Sequence, residues 1–584
     1  SSDVCSSDLP GFFRLFDFEL VKGDKATCLS MPRQVVITER IARKYFQDED
    51  PIGKILIFTG PYDKVVCEVT GVMKEMPSNS HIHYNFLISY KSLGQYLHDY
   101  WYKHEVYTYV LLDSPERKEE IEKAFPAMSE KYKTDEALKN KIWGVSLTPL
   151  ADIHLKPQVG YEAEIKGNRT AMIALIFAAI AILAIAWINY INLTVARSME
   201  RAKEVGVRRV IGAFRKQLVS QFLFEALVMN LVALVLAVGL IELILPYFNQ
   251  LVSRTVTFSV WLTGYWWLLL LIVFVGGIFL SGYYPALALL NRKPITLLKG
   301  KFLNSKSGEG TRKVLVVVQY TASMILLCGT LIVFAQLNFM RNQSLGVKTD
   351  QTLVVKFPGR TEGMNTKLEA MKKAIARLPL VDKVTFSGAV PGEEVATFLS
   401  NRRKSDALKQ NRLYEMLVCD PDYIDAYGLQ LVAGRGFSED YGDDVNKLVV
   451  NESAVRNLGI ASNEEALGEE IEVECTDAPM QIIGVVKDYH QQALNKNYTP
   501  IMLIHKDKIG WLPQRYISIV MKSGDPKELV SQVEEIWHRY FEDSSYDFFF
   551  LDQFFDHQYR QDEVFGVMIG CFTGLAIFIS CLGL

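Results

Sequence analysis

The sequence predicts a membrane α-helical bundle with five spans, joined to two α+β extracytoplasmic domains. Three observations predict this fold class: the hydrophobic residues form long blocks, the positive charge lies in some of the loops between these blocks, and the polar parts of the chain repeat each other. The 584 residues are 49% hydrophobic and 22% charged, a mixture that indicates both membrane spans and soluble domains. A net charge of −3 gives no general attraction to nucleic acid, so nucleic acid is not an expected partner.

Five apolar blocks are long enough to cross a membrane. Four of them contain no charged residue, namely 171–194, 261–291, 314–340 and 565–584. About 20 apolar residues cross a hydrocarbon core as a helix, because a helix satisfies its backbone hydrogen bonds internally. The remaining block, 218–245, carries Glu225 and Glu242 toward its ends. Glu225 either reaches water and headgroups or makes a polar contact between helices, and both interpretations stay open.

The positive charge predicts the orientation of the spans. The connection between the first and second spans contains seven Lys and Arg residues, and so does the connection between the third and fourth. The connection between the second and third spans offers only Arg254. Because basic loops stay in the cytoplasm, residues 1–169 and 341–563 are expected on the opposite side, which in a bacterium is the periplasm.

The two predicted extracytoplasmic segments contain matching stretches in the same order. The matched pairs are 18–23 with 429–434, 35–39 with 448–452, Gly53 with Gly468, and 71–74 with 484–487. The spacing between partners is nearly constant, so the match is a long-period repeat. Such a repeat indicates a duplicated unit, here a soluble domain followed by membrane spans.

The duplication also predicts that the chain is a fragment of a longer protein. The second copy has a span and a long soluble stretch ahead of its first matching segment, whereas the first copy begins almost at the matching point. Residues 1–9 (SSDVCSSDL) match nothing in the second copy, and whether they are native stays open. The last span is truncated at residue 584, before the cytoplasmic helix that a second unit would contain. The expected complete protein has about eight spans.

Both soluble copies combine strand and helix signals. Residues 34–38 and 447–451 are rich in β-branched residues and predict strands. Residues 116–125 and 526–540 have amphipathic helical patterns that start at or just after a proline. An α+β architecture is therefore expected for each copy.

The strongest functional signal is the short basic segment 197–216, which follows the first span. Glu204 and Arg208 are four residues apart, so on a helix they share a face and can pair. Arg201 and Arg209 add positive charge. The apolar residues that could lie in a groove of a partner are Val205, Val207, Val210 and Ile211.

This segment carries a family resemblance. Residues 204–209 read Glu-Val-Gly-Val-Arg-Arg, and Gly212-Ala213 follows. The pattern resembles the marker of the FtsX-like, MacB-type permeases of ATP-binding-cassette (ABC) systems, and the resemblance covers nearly the whole chain after residue 10. It implies that the segment is a helix that couples to an ABC ATPase. The residues to which it assigns this role are Arg201, Glu204, Gly206, Arg208, Arg209 and Gly212. The alternative is an ordinary basic segment held by anionic lipid.

The resemblance divides the chain into six predicted parts. The soluble parts are similar to the MacB-type periplasmic core domain, and the first membrane part is similar to the FtsX-like membrane unit. The predicted boundaries are 1–169 for a partial periplasmic domain, 170–300 for a membrane unit of three spans with the coupling helix 197–216, 301–313 for a cytoplasmic linker, 314–340 for a span, 341–563 for the second periplasmic domain and 564–584 for a truncated span.

The sequence lacks the motifs of nucleotide hydrolysis. Neither Gly-x-x-x-x-Gly-Lys-Ser/Thr nor LSGGQ occurs, so the chain is not expected to be an enzyme. ATP and Mg²⁺ are expected on a partner subunit, with no catalytic residues, cofactor or metal in this chain. His81 and His83 would face the same side of a strand, but a solvated strand is favoured over a metal site. Residues 282–286 resemble the family's end-of-unit motif, for which a helix kink or end at Pro285 is the simpler interpretation.

The predicted function is that of a permease subunit in the bacterial inner membrane, which couples ATP hydrolysis by a separate ATPase to motion of the periplasmic domains. Export of a peptide, drug or lipoprotein is the leading purpose. The first alternative is an FtsX-like regulator, without transport, of a periplasmic hydrolase or a sensor kinase. A second alternative is an enzyme whose spans are only anchors. The expected partners are the ABC ATPase and the lipid membrane, with a second permease copy, a periplasmic adaptor and an outer-membrane channel as further candidates.

Overall fold

A computed structural model gives the fold for most of the chain. The residues that it describes are 5–8, 11–59, 64–77, 79–92, 106–133, 143–155, 167–200, 202–259, 264–283, 286–287, 290, 306–358, 364–395, 397–406, 412–474, 476–494, 496–510, 512, 514–542 and 544–582. The chain divides into two compact units. One unit comprises Ser1–Ala151 and Gln343–Tyr559, and the other comprises Asp152–Asn342 and Arg560–Leu584.

The first lobe, residues 5–133, is a six-stranded sheet with three helices. Its strands are β1 (Cys5–Asp8), β2 (Leu20–Lys22), β3 (Gln34–Thr38), β4 (Ile55–Thr59), β5 (Lys64–Met73) and β6 (Phe86–Ser89). Its helices are α1 (Phe12–Leu15), α2 (Glu39–Phe46) and α3 (Arg117–Tyr132). The strand order is β1-β6-β3-β5-β2, with β4 also paired to β5. Val35, Val36 and Ile37 of β3 are all buried, because both faces of this strand are covered.

The helices that follow carry the membrane spans. They are α4 (Arg169–Glu200), α5 (Ala202–Val210), α6 (Arg215–Val252), α7 (Trp266–Ile278), which continues as the π-helical turn Phe279–Tyr283, and α8 (Lys306–Asn342). A short 3₁₀ segment, Leu150–Leu155, precedes α4.

The second lobe, residues 343–559, is built on an eleven-stranded sheet. Its strands are β7 (Thr352–Lys356), β8 (Val381–Ser387), β9 (Phe398–Arg403), β10 (Arg412–Cys419), β11 (Leu431–Gly434), β12 (Lys447–Asn451), β13 (Glu470–Glu472), β14 (Met480–Val486), β15 (Ile501–His505), β16 (Tyr516–Met521) and β17 (Phe548–Phe550). Its helices are α9 (Met364–Ala376), α10 (Tyr423–Ala426), α11 (Glu452–Asn457), α12 (Pro526–Tyr540) and the first part of α13 (Leu551–Leu582).

Among the residues that the structure describes, five helical segments are long and apolar enough to cross a membrane, which is consistent with the five spans that the sequence predicts. They are Arg169–Thr194, Arg215–Val252, Trp266–Tyr283, Lys313–Asn342 and Leu551–Leu582. Polar side chains link some of them by hydrogen bonds. Ser323 Oγ lies 2.8 Å from Ser580 Oγ, and Thr330 Oγ1 lies 2.6 Å from Thr573 Oγ1, so α8 and α13 are joined at two levels.

The two lobes share one strand arrangement, as the sequence repeat predicts. The order β1-β6-β3-β5 of the first lobe corresponds to β10-β15-β12-β14 of the second, with the same parallel and antiparallel pairings. A bulge interrupts the parallel pair at the same position, between Val35 and Val36 in one lobe and between Leu448 and Val449 in the other. A bulge is a local feature of one ladder, so its repetition supports a duplicated unit.

The lobes differ at one edge. In the second lobe, β9 pairs with both β10 and β13 and so closes a ring of six strands. In the part of the first lobe that the structure describes, β4 pairs only with β5. Residues 1–9 match nothing in the second copy by sequence, but the backbone of Cys5–Asp8 has a counterpart there, since β1 pairs with β6 as β10 pairs with β15. The sequences differ there, and only the backbone pairing reveals the equivalence.

Substitution of Gly434 tests how closely the strands of this shared arrangement pack. It has a φ of +69°, and a Cβ there would overlap the carbonyl oxygen of Ile483. We expect Gly434→Ala to lower the free energy of unfolding of the lobe by about 3 kcal/mol or more, since strain and overlap add. Gly459 is a matched control, because its φ is +73° but no atom lies within 4 Å of the added Cβ. Gly459→Ala should cost about 1 kcal/mol. Thermal unfolding of the full chain measures both, and equal losses would contradict the packing argument.

A buried carboxyl group lies in β10. Glu415 is 2% exposed, and Thr499 Oγ1 donates a hydrogen bond of 2.9 Å to its Oε2. Burial raises the pKa of Glu415 to about 7, against the opposing effect of the Thr499 hydrogen bond and with a further upward contribution from Glu394. Folding therefore favours the protonated form of this side chain.

This shift predicts a pH dependence of stability. Between the ordinary pKa of 4.5 and about 7, the unfolded side chain is ionised while the folded one holds its proton. Stability should fall as the pH rises through this window, by roughly 3 kcal/mol at most, and stay lower above it. In Glu415→Gln, the difference between the denaturation midpoints at about pH 5 and about pH 8 should be smaller than in the wild type. A variant with the pH dependence of the wild type would mean that Glu415 does not titrate in this range.

Candidate coupling site

The segment between the first and second spans forms a helix, a turn and the start of a second helix. Helix α5 ends at Val210, and Gly212 follows with a φ of +105°. The backbone N–H of Ala213 donates to the carbonyl of Arg208 at 2.9 Å, which closes the end of the helix. Glycine adopts this left-handed conformation without a Cβ penalty, so α5 ends before Gly212. The predicted coupling helix 197–216 is thus divided between the end of α4, α5 and the start of α6. Helix α6 then begins at Arg215.

An ion pair lies on the outer side of α5. Arg208 and Glu204 are 2.6 Å apart, and both side chains are about half exposed. Arg208 Nη1 also donates to Gln221 Oε1 of α6 at 2.7 Å, and Gln221 Nε2 donates to Glu225 Oε1 at 3.4 Å. An exposed pair of this kind contributes less than about 1 kcal/mol to stability. The hydrogen bond from Arg208 to Gln221, not the ion pair, is the contact that joins α5 to α6.

The inner side of α5 is apolar and buried. Val205 packs with Leu218 of α6 and with Ala286 and Leu290, which follow the third span. Gly206 is buried beside them. The short helix is therefore anchored both to the second span and to the chain that leaves the third.

Two arginines reinforce this anchor at a single backbone atom. Arg209 Nη1 donates to the carbonyl oxygen of Leu290 at 3.0 Å, and Arg215 Nη2 donates to the same oxygen at 2.9 Å. A carbonyl oxygen has two lone pairs and can accept two hydrogen bonds. Arg209 and Arg215 thus form a clamp on Leu290 from the two sides of the turn.

An apolar ridge remains uncovered on the outer side of the turn. Its members are strongly exposed, with 80% of Ile211 and 72% of Phe214 accessible. The ridge consists of Val207, Val210, Ile211 and Phe214. A contiguous exposed apolar patch bordered by charged groups is typical of a surface that binds another protein.

The six residues predicted for this site separate into three groups. Glu204 and Arg208 are exposed beside the ridge, and Gly212 shapes the turn. Gly206 and Arg209 are directed inward, toward the contacts that anchor the helix. Arg201 lies outside the described residues. The same is true of Pro285 in the end-of-unit motif.

Sequence reasoning missed three residues of the site. An aromatic residue directly after Gly212-Ala213 and directly before two basic residues is a local signal that could have identified Phe214. The part played by Arg215 and Leu290 has no comparable signal, because their contact joins residues 75 positions apart. As to metals, no group of three or more His, Cys, Asp and Glu residues is placed to hold an ion in the described part of the chain. His81 instead lies 3.0 Å from the hydroxyl of Tyr109.

Five helices that are apolar enough to cross a membrane, together with two α+β lobes, are features of a multi-pass membrane protein. The family model of the MacB-like periplasmic core domain matches residues 4–128 and 321–536, and that of the FtsX-like permease C-terminal domain matches residues 176–294. Because the first model covers more than half of the chain, this protein belongs to the MacB/FtsX-like permease family. The resemblance seen in the motif at Glu204 is confirmed at the level of the family.

Individual relatives cover smaller parts of the chain. The macrolide export ATP-binding/permease protein MacB of Campylobacter jejuni is 32% identical over 133 residues, which are 22% of this chain and 20% of the relative. The MacB protein of Neisseria meningitidis serogroup A is 25% identical over 244 residues, 41% of this chain and 33% of the relative. The chain thus spans a fifth to a third of the length of these relatives. The crystal structure of the periplasmic region of MacB from Actinobacillus actinomycetemcomitans aligns with a TM-score of 0.27 at 16% identity, covering 38% of this chain and 97% of that one.

The clamp predicts non-additive effects of its two arginines. In Arg209→Ala, Arg215 still donates to the Leu290 carbonyl, so we expect amide hydrogen exchange in residues 202–211 to rise only about fivefold, corresponding to about 1 kcal/mol. Removing both donors leaves the carbonyl without them, and the double variant should exceed the sum of the single effects. Lys313→Ala is the control, since it removes a basic side chain at the start of another span and leaves both donors in place. A double variant that exchanges like the wild type would show that the clamp does not hold the helix.

Proposed function

We propose that this protein is the permease subunit of an ABC system in the bacterial inner membrane, and that a separate ATPase docks on the apolar ridge of the turn. The observation that carries the proposal is the division of one short helix into an exposed apolar side and a buried anchored side. The exposed side offers Ile211 and Phe214 to a partner. The buried side connects the helix to the second span and to the residues that follow the third span, through Val205 and the Leu290 clamp.

A helix with one exposed apolar side and one anchored side can receive a force from a partner and transmit it to the spans. A groove on the ATPase that closes around the ridge would push on Ile211, and the anchored side would pass the movement to the second and third spans. The ion pair of Glu204 and Arg208 would meet polar groups at the rim of such a groove. ATP and Mg²⁺ would be bound by the ATPase, because this sequence contains no phosphate-binding loop.

The extracytoplasmic lobes are the proposed output of the movement. Helix α13 is a single element that starts at Leu551, a buried residue of the second lobe's core, and continues as a membrane span. A rigid helix transmits displacement along its axis, so motion of the span would reach the lobe. We propose export of a peptide, drug or lipoprotein as the purpose of this motion. Activation of a periplasmic hydrolase or sensor kinase would use the same mechanical route and remains the second candidate.

A binding experiment tests the docking surface. The full-length permease is co-expressed with a candidate ATP-binding subunit and purified through a tag on the permease. We expect Ile211→Glu to reduce the recovered ATPase at least tenfold, because a central apolar contact is worth about 1.5–3 kcal/mol and a charge cannot replace it. Leu413→Glu introduces the same charge at an exposed leucine of the second lobe and should leave recovery unchanged.

The outcomes separate the possibilities. Equal recovery with Ile211→Glu and the wild type would show that the ridge is not the motor contact. If the ATPase binds as proposed but reconstituted vesicles move no peptide or drug, while ATP still changes the distance between labels on the lobes, the regulatory candidate is favoured over export.

A further inference from the structure

A groove runs along the start of α6, next to the turn at Gly212 (the coupling turn) that joins α5 to α6. It has a volume of about 450 Å³ and lies between the first turns of α6 and the residues that follow the π-helical turn Phe279–Tyr283. At one end of the groove the lining is polar and basic, and deeper along the helix it is apolar. The polar residues are Arg215, Lys216 and Ser220, Tyr283 adds an aromatic ring with a hydroxyl group, and the apolar wall includes Val219, Leu223 and Leu287.

The geometry points to a binding site for an anionic phospholipid, and we propose that this groove holds one lipid of the cytoplasmic leaflet. The phosphate would lie against Lys216, Ser220 and Arg215. An acyl chain would run along Val219, Leu223 and Leu287. The site is distinct from the apolar ridge and does not depend on the docking of an ATPase there.

The spacing of the residues supports this arrangement. Lys216 and Ser220 are one helical turn apart, so they project from the same side of α6. Val219 and Leu223 are also one turn apart and line the same groove. The groove therefore has a basic and hydroxylic mouth that leads onto an apolar wall, which is the order of a phospholipid headgroup and its acyl chain.

The charge of the mouth suits a phosphate. Arg215 uses Nη2 to bind the Leu290 carbonyl, and a guanidinium has five N–H donors, so the rest of the group can donate to another acceptor. The side chain of Lys216 is exposed at the groove. No acidic residue is among the described residues that line the groove. An anionic headgroup would thus meet positive charge and hydrogen-bond donors without a repelling carboxylate.

The position in the membrane supports the same ligand. The basic connection that contains Arg215 and Lys216 is the one that the charge distribution places in the cytoplasm. The start of α6 would then lie at the level of the inner headgroups, and the apolar wall would extend toward the hydrocarbon core. Basic pockets between membrane helices on this side are suited to anionic lipid headgroups.

The same carbonyl links the groove to the coupling turn. Arg215 contacts the groove and also shares the Leu290 carbonyl with Arg209. A phosphate bound at Arg215 would restrict the motion of this side chain and so stabilise the clamp. Lipid composition would then influence how firmly the turn is held.

Native mass spectrometry of the full chain in detergent tests the site directly. The probes are phosphatidylglycerol and phosphatidylcholine with identical acyl chains, added at increasing concentration. We expect one phosphatidylglycerol to be retained in preference to phosphatidylcholine. Lys216→Gln should weaken this preference about fivefold, as expected for one basic group near an anionic lipid. Lys313→Gln, a control with the same charge change at the start of another span, should leave the preference intact.

Further variants and probes separate the parts of the proposal. Val219→Trp should fill the groove and reduce retention of both lipids, and a thermal midpoint equal to that of the wild type confirms that it is folded. Inorganic phosphate at the same concentration should not displace the lipid, because the acyl chain contributes to binding.

Four results would overturn the proposal. The first is equal retention of the two lipids by the wild type, and the second is an equal loss with Lys313→Gln, since either means general attraction to the basic surface. The third is displacement by inorganic phosphate alone, which means a free-anion site. A Lys216→Gln variant that binds lipid normally but fails to recover the ATPase would likewise assign the groove to the motor contact.

Discussion

The carbonyl oxygen of Leu290 is the point on which the geometry of the coupling site depends. It follows the third span, and it accepts hydrogen bonds from Arg209 and Arg215. These two arginines stand on either side of the turn at Gly212. One acceptor therefore fixes the short helix, the start of the second span and the end of the third relative to one another. Without it, the apolar contacts around Val205 would hold the same elements, but with less directional control.

Duplication explains much of the remaining architecture. The bulges at Val36 and Val449 lie at the same place in the two sheets, and the strands around them pair in the same sense. The copies are not identical, because β9 closes the ring of strands in the second lobe. Where β13 pairs with β9, Glu472 also meets Arg402 at 2.5 Å across the strands. On β4 the position of Glu472 is occupied by Ile57 and that of Glu470 by Ile55, and both isoleucines are exposed. Equivalent backbones have thus acquired different surface chemistry.

The features that the sequence could predict are those that depend on neighbouring residues. A span is recognisable because about 20 consecutive apolar residues define it, and Gly212 is recognisable because a helix end favours a left-handed glycine. The different contacts of Arg208 and Arg209 could not be predicted in this way. The two residues are adjacent and carry the same charge, yet Arg208 pairs with Glu204 on the outer side while Arg209 reaches inward to Leu290. Successive helical residues point about 100° apart, and only the position of a distant segment decides which of them is covered. The equivalence of β1 and β10 also could not be predicted from local sequence, because the two strands have dissimilar sequences and correspond only in their pairing with β6 and β15.

The polar residues of the spans favour transmission of motion over conduction. Ser323, Ser580, Thr330 and Thr573 are buried, and they bond to one another across α8 and α13. Asn189 of α4 donates to the carbonyl of Ile579 at 3.0 Å, so a third helix is joined to the same partner. Hydroxyl and amide groups that are used in this way hold helices together, because an unsatisfied polar group in hydrocarbon is costly. A set of helices linked at several depths moves as a body more readily than it opens between them, and this is the behaviour that the proposed function requires of the spans.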